Sequence, residues 1–268
     1  MTLFPRHIRR RLAGLQKTAP TKAGESPAVN PPPAPAQIVV SPPAGLPLGL
    51  EIERAGEGCL SFRLGAEAMH PELAARLSRL VGELPKPWAG AHRCVFLDLE
   101  TLGLASAPIF LVGALHVGAG GFHAHQFLAQ DYAGETAVLE AAAPLLAAEC
   151  LVTYNGRSFD WPFLADRRRL HRLAPLPAPT RHLDLLLTAR RLYRGILPSC
   201  GLDNVEREVL GLERRGEIPG SLIPELYHRA VAEGNLNLLV PVLHHNLVDL
   251  VSLACLAEAW REHLTPDR

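Results

Sequence analysis

Residues 93–100, Arg-Cys-Val-Phe-Leu-Asp-Leu-Glu, constrain the fold more than any other stretch of this chain. Val95, Phe96 and Leu97 put apolar side chains on both faces of an extended segment. A strand apolar on both faces needs cover from both sides, so it belongs at the centre of a sheet. The run then turns acidic. Asp98 and Glu100 stand two residues apart and therefore project from the same face. Two neighbouring carboxylates at the end of an apolar strand repel each other unless they are protonated or neutralised by a cation. The same pattern also describes a strand that simply ends in solvent, so the pair needs company before it means chemistry.

Further strands are expected at 109–117 and 122–128. The Gly118-Ala119-Gly120-Gly121 segment between them lacks the strand-to-helix setting of a dinucleotide loop and reads as a hairpin turn. An Ala/Leu-rich helix at 134–148 and a strand at 150–154 follow. Helices then dominate, at about 159–171, 183–193, 201–210 and 240–263. This order predicts an α/β domain over 92–264, with a mixed central sheet flanked by helices and a largely helical second half. Residues 49–91 read as a small accessory segment, with a candidate hairpin at 50–54 and 59–64, a helix at 71–82 and a Pro/Gly boundary at 85–90. Residues 1–48 read as a basic tip, with a candidate helix at 5–17, and a Pro/Ala-rich linker containing Pro31-Pro32-Pro33. Such a linker is expected to be disordered.

The 268 residues are 48% hydrophobic, enough for a substantial core, and their formal net charge of zero argues against a free-standing basic nucleic-acid binder. Lys17, Lys22 and Lys86 are the only lysines, so nearly all positive charge is arginine. The guanidinium fork suits phosphate, although a GC-rich coding bias gives the same enrichment. Cys59, Cys94, Cys150, Cys200 and Cys255 form no CxxC pair, which argues against zinc and for buried thiols in a reducing cytoplasm. The basic N-terminus lacks the apolar stretch of a secretory signal, and no uninterrupted apolar run of membrane-spanning length is apparent. A cytoplasmic location without a membrane partner is expected.

Two more acidic anchors accompany Asp98 and Glu100. In Tyr154-Asn155-Gly156-Arg157-Ser158-Phe159-Asp160 a strand ends, a turn follows, and Asp160 falls in the first turn of a helix. There it either complements the helix dipole or ligates a metal at the end of a strand. In His244-His245-Asn246-Leu247-Val248-Asp249, His245 and Asp249 are four apart and share a helix face. Four carboxylates and a histidine that can converge match the needs of two-metal phosphodiester hydrolysis, in which two Mg²⁺ or Mn²⁺ ions about 3.5–4 Å apart clamp the attacking and leaving oxygens.

The order Asp98-x-Glu100, Asn155 with Phe159-Asp160, then His245-Asn246-x-x-Asp249 resembles the DEDD exonuclease superfamily on the ribonuclease-H-like fold. The segments Leu151 to Gly156, His182-Leu183-Asp184-Leu185, Leu197-Pro198-Ser199-Cys200, Ile218-Pro219-Gly220 and Ile223 to Tyr227 resemble its YprB-type branch. The resemblance covers about residues 92–262. It implies a 3′–5′ exonuclease in which Asp98 touches both metals, Glu100 and Asp249 serve the water-activating metal, and Asp160 serves the other. It favours His245 over His244 as the residue that handles the water. Asp184 is a further acid in a family-like segment, expected to be structural. The implied partner is nucleic acid, a single-stranded 3′ end of DNA or RNA. Asn155, Phe159, Arg167 and Arg168 are the candidate contacts, with Arg169, His171 and Arg172 beside them and Arg190, Arg191 and Arg194 on the next helix. A catalytically weak binding module and an endonuclease on the same fold are the alternatives.

Overall fold

A computed structural model describes residues 38–40, 51–65, 94–104, 106–118 and 121–264. The helices expected at 5–17 and 71–82, the boundary at 85–90 and most of the linker lie outside the described residues.

The described elements are β1 (Ile38–Val40), β2 (Glu51–Gly56), β3 (Cys59–Gly65), β4 (Cys94–Thr101), β5 (Ile109–Gly118), β6 (Gly121–Ala129), α1 (Glu135–Leu146), β7 (Cys150–Thr153), α2 (Asp160–Leu170), β8 (Arg181–Asp184), α3 (Leu185–Tyr193), α4 (Leu202–Val205), β9 (Leu212–Arg214), α5 (Ile223–Glu233) and α6 (Val240–Ala259). A π-helical turn, Glu206–Leu210, continues α4, and 3₁₀ turns precede α5 and α6. Seven strands form one mixed sheet in the order β2-β3-β6-β5-β4-β7-β8. Neighbours from β2 to β4 are antiparallel, while β4, β7 and β8 run parallel. The apolar run that begins at Val95 is thus an interior strand, as its two-sided pattern requires.

Each face of the sheet takes a different cover. On one, Val138, Leu139 and Ala142 of α1 join the cluster of Val95, Leu97 and Phe127. On the other, Val248, Val251 and Cys255 of α6 join Phe96, Leu115 and Phe122. Each large apolar side chain so buried contributes about 1.5–3 kcal/mol. Together with the 3₁₀ turn before it, α6 is long and apolar enough to cross a membrane, but most of its surface is buried inside the fold. It is the central helix of the domain, and the burial of most of its residues explains its apolar composition.

Four features differ from the sequence-based expectation. The hairpin β2–β3 is not set apart from the domain; β3 pairs with β6 along its length and extends the main sheet. Ile38–Val40, inside the expected linker, forms a strand parallel to β9, consistent with the extended preference of an Ile-Val-Val run. Residues 181–184 form β8 on the edge of β7, so helix α3 begins at Leu185, later than its leucine pattern suggests. Sheet pairing overrides local periodicity there. α5, absent from the expected helices, has Pro224 in its first turn and closes at Gly234 with φ 60°.

Candidate active site

The site forms where two parallel strands part. β4 pairs with β7 only as far as Phe96↔Val152, whereas its pairing with β5 continues to Thr101↔Ile109. Beyond Phe96 one edge of β4 therefore opens, and α2 begins at that opening. Asp160, its first residue, is buried, and the backbone N–H groups of Leu99 and of Asp160 itself pull its pKa down against burial. From above, α6 crosses the same face and supplies His245, Asn246 and Asp249.

Asp98 is held by a row of residues that crosses the sheet. Asp98 lies opposite Gly113 on β5, and Gly113 opposite Gln126 on β6. The buried Asn246 amide spans this row. Its Nδ2 donates to Asp98 Oδ2 at 2.7 Å, and its Oδ1 accepts from Gln126 Nε2 at 2.8 Å. Gln126 also donates to the Leu243 carbonyl at 2.7 Å, so the strand grips the helix at two points. Gly113 makes room for this arrangement, because a Cβ there would fall 2.1 Å from Asn246 Oδ1.

The electrostatics are those of carboxylates short of positive charge. Burial, then Asp249, Glu100 and Asp160, push the Asp98 carboxyl well above its ordinary pKa, against the pull of Asn246. Glu100 is pushed up to about 8, by burial first and then by Asp249 and Asp160, with His245 opposing. Asp160 is pushed up to about 7, chiefly by burial, with Asp184 and Asp249 adding to it. Each of these groups therefore retains protons near neutral pH unless a cation joins them.

Asp249 already has a cation. Arg214, on β9, donates to Asp249 in a short contact, to Glu206 Oε2 at 2.7 Å and to Glu217 Oε2 at 3.1 Å. Glu217 in turn accepts from His245 Nδ1 at 3.1 Å, and His244 Nδ1 lies 3.5 Å from its other oxygen. His245 Nε2 faces Asp249 Oδ2 at 3.7 Å. Burial lowers the affinity of His245 for a proton, but Glu217, Asp249 and Glu100 outweigh it, and the imidazole pKa is raised. The histidines thus differ: His245 spans Glu217 and Asp249, whereas the recorded ionic contact of His244 is with Glu217 alone.

Oxygen donors of this kind suit a hard divalent ion. Among the described residues, however, no three His, Cys, Asp or Glu side chains are already gathered to hold one ion. Asp98 is turned to Asn246 and Asp249 to Arg214. The residues fit a metal by donor chemistry and by their shared excess of negative charge, and gripping one requires these side chains to turn.

The remaining expected residues divide. Arg167 and Arg168, expected at the nucleic acid, are both buried, with their guanidinium groups turned to interior oxygens. Arg167 is paired with Glu135 and donates to the Ser106 carbonyl, and Arg168 donates to the carbonyls of Leu139 and Ala174. Their guanidinium groups satisfy buried oxygens that would otherwise lack donors. Asn155 is exposed, in the left-handed conformation at φ 67°. Phe159 is half-buried and packs against Phe163 at 5.2 Å between ring centroids. Asp184 caps α3 through Leu186 N–H and accepts from the N–H groups of Asn155 and Arg157, so it ties the loop before Asp160 to the sheet. Arg214, Glu217, Glu206, Gln126 and Gly113 are site neighbours that sequence reasoning missed. The run Glu213-Arg214-Arg215-Gly216-Glu217 looks like solvated charge, and only Gly113 carried a signal, a glycine inside an apolar strand.

Comparison with known proteins agrees with this geometry. An RNase_H superfamily pattern matches residues 95–261, which include all four carboxylates. The chain is also 39% identical over 166 residues to the "Uncharacterized protein YprB" of Bacillus subtilis (strain 168), in an alignment covering 60% of this chain and 40% of that protein. The match therefore spans well under half of the length of that relative. Fold and pattern lead to one assignment: the chain belongs to the RNase_H superfamily, and over the aligned residues it is similar to YprB.

Proposed function

We propose that this domain is a 3′–5′ exonuclease that hydrolyses nucleic-acid phosphodiester bonds with two divalent ions, Mg²⁺ or Mn²⁺. One observation carries the reading most: Asp98, Glu100 and Asp160 meet at one strand end with pKa values all pushed upward, and Asp249 stands close enough to add to each. A fold has no structural use for such a concentration of negative charge, and bound cations remove its cost. Asp98 would contact both ions, Glu100 and Asp249 the one nearer the attacking water, and Asp160 the other. When bound, the ions lower the pKa of water and stabilise charge on the transferred phosphoryl group.

The chain's own residues supply the proton handling. Glu217 can only accept, so the Nδ1 that faces it carries the imidazole proton of His245. Nε2 is then free to take a proton from water on the side of Asp249 and Glu100. His244 is the weaker candidate. Asn155 and Phe159 lie on the loop before Asp160 and would meet the terminal nucleotide. The free thiols of all five cysteines are consistent with a cytoplasmic setting.

A catalytically weak binding module is the second reading. The hold of Arg214 on Asp249 favours it, because that carboxylate must exchange one cation for another before it can ligate. Purified protein incubated with end-labelled single-stranded and circular DNA and RNA, with Mg²⁺ or Mn²⁺, separates the possibilities. The exonuclease reading expects stepwise shortening from the 3′ end, intact circles and no activity in Asp98→Asn. Cut circles would indicate an endonuclease. Binding without product under either metal would indicate the module.

A further inference from the structure

With Arg167 and Arg168 committed to the interior, the positive charge available to a nucleic-acid strand lies elsewhere. Arg190 and Arg194 are four residues apart at the end of α3, both exposed. They line one side of a cleft of about 520 Å³ whose other walls include Asn155, Leu197, Ser199 and Gly201. Among the described residues neither guanidinium has an ion-pair partner. This contrasts with Arg169, paired with Asp166, and with Arg214, which holds three carboxylates.

The cleft is built rather than incidental. Tyr154 donates its hydroxyl proton to the Cys200 carbonyl at 2.6 Å, which joins the end of β7 to the far wall. Ser199 Oγ accepts from Gly201 N–H at 3.1 Å and from Asn204 Nδ2 at 2.7 Å. With two donors already directed at its oxygen, its own proton is left to donate. The exposed Asn155 amide adds another donor at the rim. Three acids moderate the charge: Asp203 lies under Gly201, and Asp184 and Glu206 also act on Tyr154 in the cleft wall, but Asp184 is engaged by backbone N–H groups and Glu206 by Arg214.

The cleft is linked to the carboxylate site through one loop. Asn155 lies on the loop that leads to Asp160, and Asp184 grips that loop while its charge acts on Asp160. A strand whose end lies at the carboxylates would run past Asn155 towards α3. We propose that Arg190 and Arg194, with Ser199 and Asn155, seat the phosphates of a single nucleic-acid strand whose terminal nucleotide occupies the carboxylate site. This rests on the nuclease reading for its direction but not for its binding chemistry, which needs only a phosphodiester chain. The paired arginine forks contact phosphate and not base edges, so binding here is independent of sequence.

Fluorescence anisotropy of the full chain with a labelled oligothymidylate, and separately an oligouridylate, tests this over a series of salt concentrations in EDTA. Loss of two phosphate contacts should reduce the log–log salt slope by about 1.4 for a single strand. The double variant R190Q/R194Q should therefore bind more weakly with a shallower slope, while Arg169→Gln, an exposed but ion-paired arginine on α2, should bind as the parent does. Circular dichroism establishes that each variant is folded. An unchanged slope in the double variant, an equal loss in Arg169→Gln, or no binding of either oligonucleotide by the parent protein overturns the proposal. Turnover of the p-nitrophenyl ester of thymidine 5′-phosphate, too short to reach the cleft, reports on the nuclease reading separately. No turnover in the parent would remove the nuclease reading while the binding result decides the cleft.

Discussion

Two sets of acidic residues sit against opposite faces of the same sheet, and the protein treats them in opposite ways. Glu135, in the first turn of α1, is buried and met on every side. It accepts from Arg167 Nε at 2.7 Å, from Ile109 N–H at 2.8 Å and from His171 Nε2 at 2.7 Å. Burial alone would raise its pKa, but these donors prevail and hold it low. Asp98, Glu100 and Asp160 are removed from water with too few donors, and their pKa values rise. A carboxylate matched with its own arginine is a structural part. Carboxylates left unmatched together are the ones we propose to receive a charge from outside. The donors that reach each carboxylate, more than its burial, separate Glu135 from these three.

The sharpest way to break this comparison is to exchange the expected outcomes. Glu135→Ala strips Arg167 of its partner in the interior and should cost about 3–5 kcal/mol, the range for breaking a buried pair, measured by urea denaturation. Asp98→Asn should do the reverse. It should leave metal-free stability nearly unchanged, since Asp98 already holds a proton there, while activity drops by at least about 10²–10³-fold. A large loss of stability in Asp98→Asn without metal would show that the cluster is structural.

Gly113→Ala tests the row that holds Asp98. Its methyl group meets the Asn246 amide, and overpacking of this kind costs about 1–3 kcal/mol. It should also weaken Mn²⁺ binding, followed by electron paramagnetic resonance. Gln126→Leu should show the same weakening of binding with a smaller stability change.

Acidity offers a subtler separation. Because Glu100 and Asp160 titrate near 8 and 7 when folded, metal binding must displace protons, and affinity for Mg²⁺ or Mn²⁺ should rise from pH 6 to pH 8. These raised groups favour the metal-free fold below their unfolded pKa of about 4. That contribution is lost as the pH rises through their folded values, so added Mn²⁺ should increase Tm more at pH 8 than at pH 6. Glu135 has the opposite sign. Its contribution is in place above the ordinary glutamate value of about 4.3 and is lost as the pH falls through its lower folded value. The smallest effect is expected at Arg169→Ala, whose exposed pair with Asp166 is worth about 0–1 kcal/mol.

Much of this was legible in the chain itself. The two-sided apolar run before Asp98 predicted an interior strand, and the two-residue spacing to Glu100 put both acids on one face. The four-residue spacing from His245 to Asp249 put those two on one face of α6. These are consequences of strand and helix period, which are local. What the arginines do is not local. Arg167, Arg168 and Arg169 are consecutive and identical in type, yet the first two are buried and the third is exposed, because α2 turns the first towards Glu135 and the second towards the Leu139 and Ala174 carbonyls. Arg214 reads as one charge in a solvated run and instead stands between three acids drawn from the π-helical turn, the following loop and α6. Sequence period determined which side chains share a face, since that depends only on backbone geometry. The packing of helices on the sheet decided which charges meet, since pairing depends on distances across the chain that no local pattern encodes.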